Sequence, residues 1–190
     1  MNAQPAAFID RDGTINTEVH DLNRVEQLQL IPRAGEAIAR LNQAGYPVIV
    51  ITNQSAIGRG LLTEPGLSAI HRELKHQLSA YNASIDAIYH CPHHPDGKDN
   101  CTCRKPAPGM ILRAASEHNI DLAGSIMIGD NATDLEAGWH AGCRAALVRT
   151  GSGEDALKKI DRQTRDRISY IGRDLFDVVE EFLNVSRTSQ

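Results

Sequence analysis

The chain predicts an α/β protein in three layers, a parallel sheet with helices packed on both faces. Three observations predict it. Short apolar runs alternate with segments of helical periodicity along the whole chain. The run Pro47-Val48-Ile49-Val50-Ile51 is apolar throughout, as in a strand buried on both sides. Four of the runs are followed by polar, small or anionic residues: Asp10 and Asp12, Thr52 and Asn53, Cys91 and His93, Gly129 and Asp130. In parallel sheets, ligands bind beyond the carboxyl ends of the strands, so these residues are expected to converge at one edge.

The elements follow in order. Ala6–Ile9 is the first strand. Arg33–Gln43 places Ala34, Ala37, Ile38 and Leu41 at helical spacing, and Gly45 stops it. Pro47–Ile51 is the second strand. Thr63–Tyr81 is a helix with Leu67, Ile70, Leu74 and Leu78 on one stripe; Pro65 lies in its first turn, where proline is tolerated. Ile85–Tyr89 is a third strand and Pro108–His118 the next helix. Ser125–Ile128 and Thr133–Ala141 are the fourth strand and its helix. Ala145–Val148 and Ile168–Ile171 complete the strands, and Leu175–Leu183 closes the chain as a helix. Gly151–Arg167 is polar and charged and reads as a surface helix and loop. No repeat, low-complexity tract or linker divides the sequence, so residues 1–190 are expected to form a single domain.

Composition narrows the function. Hydrophobic residues make up 41% and charged residues 23%, as in ordinary globular proteins. A net charge of −4 argues against nucleic acid or an anionic membrane as the main partner. No apolar run approaches the length of a membrane span, and the N-terminus shows no secretory pattern. Four cysteines beside histidines fit a metal site in a reducing compartment better than disulfides, so a cytoplasmic location is expected.

Asp10 and Asp12 flank Arg11 at the exit of the first strand, and residues i and i+2 of an extended chain point the same way. Joined by Asp130, and with Asp134 as a further candidate, they suit a hard divalent cation such as Mg2+, which favours oxygen ligands and substrate phosphate. One aspartate can then attack phosphorus while the other moves the proton. Thr52-Asn53-Gln54-Ser55 offers a hydroxyl, amides and N–H groups for phosphoryl oxygens. Lys105, in a stiff segment framed by Pro106 and Pro108, suits a fixed counter-charge. Cys91, His93, Cys101 and Cys103 form a C-x-H and a C-x-C pair separated by seven residues. Three thiolates and an imidazole would close a tetrahedral zinc site, making the metal structural. On spacing alone His94 competes with His93.

These motifs resemble the haloacid-dehalogenase-like phosphatases: Asp10-x-Asp12-Gly13-Thr14, Thr52, Lys105 and Gly129-Asp130-x-x-x-Asp134 occur in order over nearly the whole chain. Within that family the likeness is greatest to the heptose 1,7-bisphosphate 7-phosphatases. It is carried by residues 8–16, by 52–60, by Cys91-Pro92-His93-His94-Pro95 and by residues 101–106. The resemblance implies a Rossmann-like sheet of the haloacid-dehalogenase type without a large cap domain, with a zinc-binding insertion at 91–105. It implies a monomeric enzyme that removes the 7-phosphate of a heptose bisphosphate; histidinol-phosphate hydrolysis is the alternative. Asp10 would be the nucleophile and Asp12 the general acid, then base, with Thr52 and Lys105 on the phosphoryl group. Asp10, the carbonyl of Asp12 and Asp130 would bind Mg2+, and His93 would be preferred at the zinc. Substrate contacts would come from Arg11, Glu18, Val19, His20, Asp21, Asn53, Gln54, Ser55, Arg59, Arg104 and Asn131. The sequence departs from the pattern at Asn131, where a lysine is expected, and in a shorter loop between His93 and Cys101. A nucleic-acid module and a phospho-receiver domain fit less well, given the acidic charge, the low aromatic content, the cysteine segment and Asp12.

Overall fold

The computed structural model describes residues 3–94 and 101–188. Six parallel strands form one sheet in the order β3-β2-β1-β4-β5-β6. They are β1 (Ala7–Ile9), β2 (Val48–Asn53), β3 (Ala87–Cys91), β4 (Ile126–Gly129), β5 (Arg144–Val148) and β6 (Tyr170–Gly172). The helices are α1 (Ala34–Gln43), α2 (Ser55–Gly58), α3 (Glu64–Ser79), α4 (Gly109–His118), α5 (Ala132–Ala141), α6 (Gly153–Lys159), α7 (Arg162–Asp166) and α8 (Leu175–Thr188). Strand order reverses at β1, which pairs with β2 on one side and β4 on the other. That reversal opens a crevice at the carboxyl ends of β1 and β4.

Both sheet faces are buried, which explains the unbroken apolar runs. Ile9, Val50, Ile128 and Val148 face a core filled by Ile38 and Leu41 of α1, Leu67, Ile70 and Leu74 of α3, and Val178 and Phe182 of α8. Phe8, Ile49, Ile51 and Met127 face the opposite core with Met110, Ile111 and Ala114 of α4 and Ala137 of α5. A third cluster joins Leu135, Ala145 and Leu147 to α6. Between β1 and α1 the chain forms a 3-10 turn at Val25–Gln27 and isolated bridges of Asn16 with Asp12 and Leu30, so no cap domain is inserted there. No helix among the described residues is long and apolar enough to cross a membrane.

Some boundaries differ from the sequence reading. Asn42 holds the main chain of Ser84, and the Asp86 carboxylate accepts the Val48 N–H at 2.7 Å, so β3 starts at Ala87 rather than Ile85. Ile168 N–H bonds back to Arg165, which delays β6 to Tyr170. The segment read as a surface helix and loop contains α6 and α7, and α2 was not anticipated.

Phe182 is fully buried, with the rings of Tyr46 and Tyr170 edge-on at 5.1 and 6.3 Å. Phe182→Ala should lower unfolding free energy by about 3–5 kcal/mol in urea titration.

Candidate active site

Asp10 directly follows β1, and its N–H still bonds the Ile128 carbonyl at 2.9 Å. The chain then turns. The Arg11 carbonyl accepts N–H groups from Ile15 and Asn16, and Gly13 takes φ +81°. The chain thus turns directly after the motif, and Asp10 and Asp12 both line one cavity. Asp10 joins a cluster with Asp130 and Asp134, whereas Asp12 lies outside it and has partners of its own.

Lys105 organises the cluster. Its Nζ lies 2.5 Å from Asp10 Oδ1, 2.6 Å from Asp134 Oδ1 and 2.8 Å from the Ile51 carbonyl. An ammonium has three donors, and these acceptors match them. Burial alone would push the lysine pKa down; the two carboxylates push it above its ordinary value instead. Asp134 also accepts the Asn131 N–H at 3.0 Å, closing a capping box at the start of α5. One side chain thus starts a helix and anchors the lysine.

Three buried carboxylates, Asp10, Asp130 and Asp134, face this one buried ammonium. With all three ionised, two negative charges would be left unbalanced. Burial raises Asp10 well above the usual carboxylate range despite Lys105. Burial, with Asp134 and Glu18, pushes Asp130 up to about 7 against the Ser152 N–H and Lys105. All three offer oxygens within 4.8 Å of one another. This donor set and charge deficit fit a hard divalent cation.

Asp12 sits in the opposite environment. Burial would raise its pKa, but Arg11 and hydrogen bonds from Asn16, Arg11 and Gln54 outweigh that and lower it. Arg11 Nη2 is 2.7 Å from Oδ2 and 2.9 Å from Oδ1, Asn16 Nδ2 is 3.0 Å from Oδ1, and Gln54 Nε2 is 2.9 Å from Oδ2. Arg11, expected among the substrate contacts, has no exposed surface and is occupied with Asp12. Gln54, expected in the sugar site, is buried and bridges Asp12 to the Thr52 hydroxyl at 2.8 Å. Asn53 grips the main chain of Lys105 with both ends of its amide, at 3.1 and 3.2 Å. These three side chains hold the machinery, and all three also line a depression beside it.

The cavity above the cluster measures about 490 Å3 and is lined by Asp10, Asp12, Glu18, Thr52, Asn53, Arg104, Lys105, Asp130, Asn131 and Ser152 among others. Asn131 caps α5 through Thr133 N–H. A neighbouring depression of about 240 Å3 brings together Glu18, Val19, His20, Asp21, Ser55 and Arg59, the last paired with Asp21. Val19 also packs on the core, and His20 is almost wholly exposed.

The sequence reading missed the loop after β5. Thr150 donates its hydroxyl to the Gly13 carbonyl at 2.6 Å, and Ser152 N–H donates to Asp130 at 2.7 Å. Gly151, at φ +54°, passes so close that a Cβ there would overlap Asp130 Oδ2. The only sequence signal was the Thr-Gly-Ser-Gly run directly after a strand.

Cys91 ends β3. Its thiol, those of Cys101 and Cys103, and His93 Nδ1 form a second cluster. Cys101 Sγ is 3.1 Å from both Cys103 Sγ and His93 Nδ1, and 3.5 Å from Cys91 Sγ. Three thiols and an imidazole converge on one point, and this donor set fits a zinc ion. His93, not His94, occupies the corner. The Arg104 N–H points at Cys101 Sγ, 3.3 Å away, so the residue beside Lys105 is tied to the clip. Residues 95–100, including Pro95 and most of the shortened loop, lie outside the described residues. Cys143 is buried apart from the cluster.

A HAD-hydrolase-like family profile matches residues 102–177. A D-glycero-D-manno-heptose-1,7-bisphosphate 7-phosphatase of Thermosynechococcus vestitus is 40% identical over 186 residues, covering 93% of this chain and 94% of its own. A D-glycero-beta-D-manno-heptose-1,7-bisphosphate 7-phosphatase of Bordetella bronchiseptica is 39% identical over 177 residues, 93% of this chain and 96% of its own. The crystal structure of D,D-heptose 1,7-bisphosphate phosphatase from B. bronchiseptica, complexed with magnesium and phosphate, superposes with a TM-score of 0.86. It is 36% identical and covers 95% of this chain and 99% of that one.

The chain belongs to the heptose-bisphosphatase family of the haloacid-dehalogenase-like hydrolases.

For a heptose-bisphosphatase family member, the sheet edge and the clip carry distinct expectations. Gly151→Ala should displace Asp130 and weaken Mg2+ binding about 10–100-fold by calorimetric titration, with little change in the circular dichroism of the fold. Protein purified without added zinc should contain about one zinc per chain. Cys101→Ser should lose that zinc and most phosphatase activity; full activity with an intact zinc content would contradict the clip assignment.

Proposed function

We propose that this chain hydrolyses the 7-phosphate of D-glycero-D-manno-heptose 1,7-bisphosphate, giving heptose 1-phosphate and phosphate. The observation that carries the reading is the Lys105 ammonium bridging Asp10 and Asp134 beside Asp130, under a polar cavity with Arg104 among its lining residues. The names of the relatives supply the sugar. Mg2+, held by Asp10, the Asp12 carbonyl and Asp130, would neutralise charge on the phosphoryl oxygens.

The residues divide the work. An Asp10 oxygen attacks phosphorus, and the bond from phosphorus to the C7 oxygen breaks. Asp12 delivers a proton to that leaving oxygen. The phosphoryl group is then on Asp10. Asp12, now a carboxylate, takes a proton from water as the water attacks phosphorus, and Asp10 is regenerated with release of phosphate. Thr52 offers its hydroxyl to the phosphoryl oxygens, and the Lys105 charge beside Asp10 stabilises them during both displacements. Arg104 meets the remote 1-phosphate as a guanidinium suited to bidentate contact. The open cavity, without a cap, leaves selection to residues 18–21, Ser55, Arg59 and Asn131. The reading places the enzyme in synthesis of ADP- or GDP-heptose for lipopolysaccharide. It acts as a monomer in the cytoplasm, where a thiolate clip stays reduced.

Phosphate release from heptose 1,7-bisphosphate should require Mg2+ and exceed release from histidinol phosphate. Asp10→Asn should lower kcat on the order of 10⁴-fold or more while the fold survives. Preference for histidinol phosphate would overturn the substrate, and an active Asp10→Asn enzyme would overturn the nucleophile.

A further inference from the structure

His71, on α3, lies outside every motif the phosphatase reading uses. Its Nε2 is 3.3 Å from Arg11 Nη1. A guanidinium offers donors only, so Nε2 must be the acceptor and the ring proton must sit on Nδ1. Burial, then the charge of Arg11 and the neighbouring His90, hold its pKa down at about 3, which keeps the imidazole neutral. His90 lies edge-on at 6.2 Å and pairs with Glu64 on its far side.

Arg11 directs Nε and Nη2 at the Asp12 carboxylate. Nη1 goes to His71 instead. The guanidinium is thus gripped at both ends. Arg11 does not give up a proton at accessible pH, so the line Asp12, Arg11, His71 transmits position and not protons.

We propose that His71 is a positioning residue for the Asp12 carboxylate: it fixes the Arg11 guanidinium, which in turn fixes Asp12 over the leaving oxygen. The proposal rests on the phosphatase reading in taking Asp12 as the proton-transfer group. Without an acceptor at His71, the buried Nη1 N–H is left unpaired, and the guanidinium must swing to find a partner. The carboxylate it holds then moves. The proton transfer suffers, while binding of the phosphate by Thr52, Lys105 and Arg104 is spared.

Two measurements test this. Imidazole 15N–1H correlation at neutral pH should find His71 with a proton on Nδ1 and none on Nε2. In steady-state kinetics, His71→Leu should lose about tenfold in kcat with KM changed less than about twofold. His71→Gln, whose amide oxygen can accept from Nη1, should recover at least about half of the parent kcat. A protonated Nε2, an unimpaired His71→Leu, or a His71→Gln as slow as His71→Leu would each overturn the proposal. If the parent enzyme releases no phosphate from heptose 1,7-bisphosphate, the functional reading alone fails. The ring-tautomer result then still upholds or overturns the contact with Arg11, and histidinol phosphate serves for the kinetic comparison.

Discussion

The structure of the site depends on one buried ammonium. Lys105 comes from a loop far along the chain from Asp10 and Asp134, yet its Nζ touches both at 2.5 and 2.6 Å. Each partner is fixed by something else. Asp10 is held by the β1–β4 ladder and Asp134 by the first turn of α5. A buried lysine is costly unless charge and hydrogen bonds both meet it, and here the Ile51 carbonyl completes the set. Removing Lys105 would leave Asp10, Asp130 and Asp134 together with no ammonium among them. The carboxyl ends of β1 and β2 and the N-terminus of α5 are therefore locked together through a single side chain.

That lock needs a rigid source for the lysine, and its loop has little apolar material from which to build one. The solution is polar and metallic. Asn53 clamps the main chain of Lys105, and the Cys and His cluster ties down the residue before it. A tetrahedral zinc closes such a loop without a hydrophobic core. The clip leaves no open coordination position for substrate; its effect on chemistry runs through Arg104 and Lys105.

Much of this was legible in the sequence because the relevant patterns are local. Strand-helix alternation gave the layers, and polar residues directly after strands marked the sheet edge. Cys91, His93, Cys101 and Cys103 announced themselves by spacing, although His93 and His94 were separable only in three dimensions. What stayed hidden was long-range. The resemblance implies substrate contacts for Arg11 and Gln54, and both do line the depression beside the cavity. Folding turns them inward to Asp12, and only the tertiary structure shows that Arg11 is sealed from solvent. His71 carried no signal, since a histidine on an amphipathic helix is usually solvated. Gly151–Arg167 reads as surface because it is polar and charged, yet Gly151 and Ser152 at its start pack against Gly13 and Asp130.

The two aspartates of the first motif are separated by one residue and placed in opposite electrostatic settings. Asp10 is buried among other carboxylates, so its charge waits on cations. Asp12 is surrounded by donors and held ionised. This asymmetry suits the proposed division of roles, but it also imposes an order on it. An ionised Asp12 has no proton to give before substrate arrives. A phosphate group brought beside it adds negative charge and raises its proton affinity, so the proton is taken up with the substrate and handed to the leaving oxygen. Once that oxygen has departed, Asp12 is again the carboxylate that its neighbours favour. It is then a base set to receive a proton from water. The donors around Asp12 therefore favour the second half of the reaction, and the arriving phosphate prepares the first.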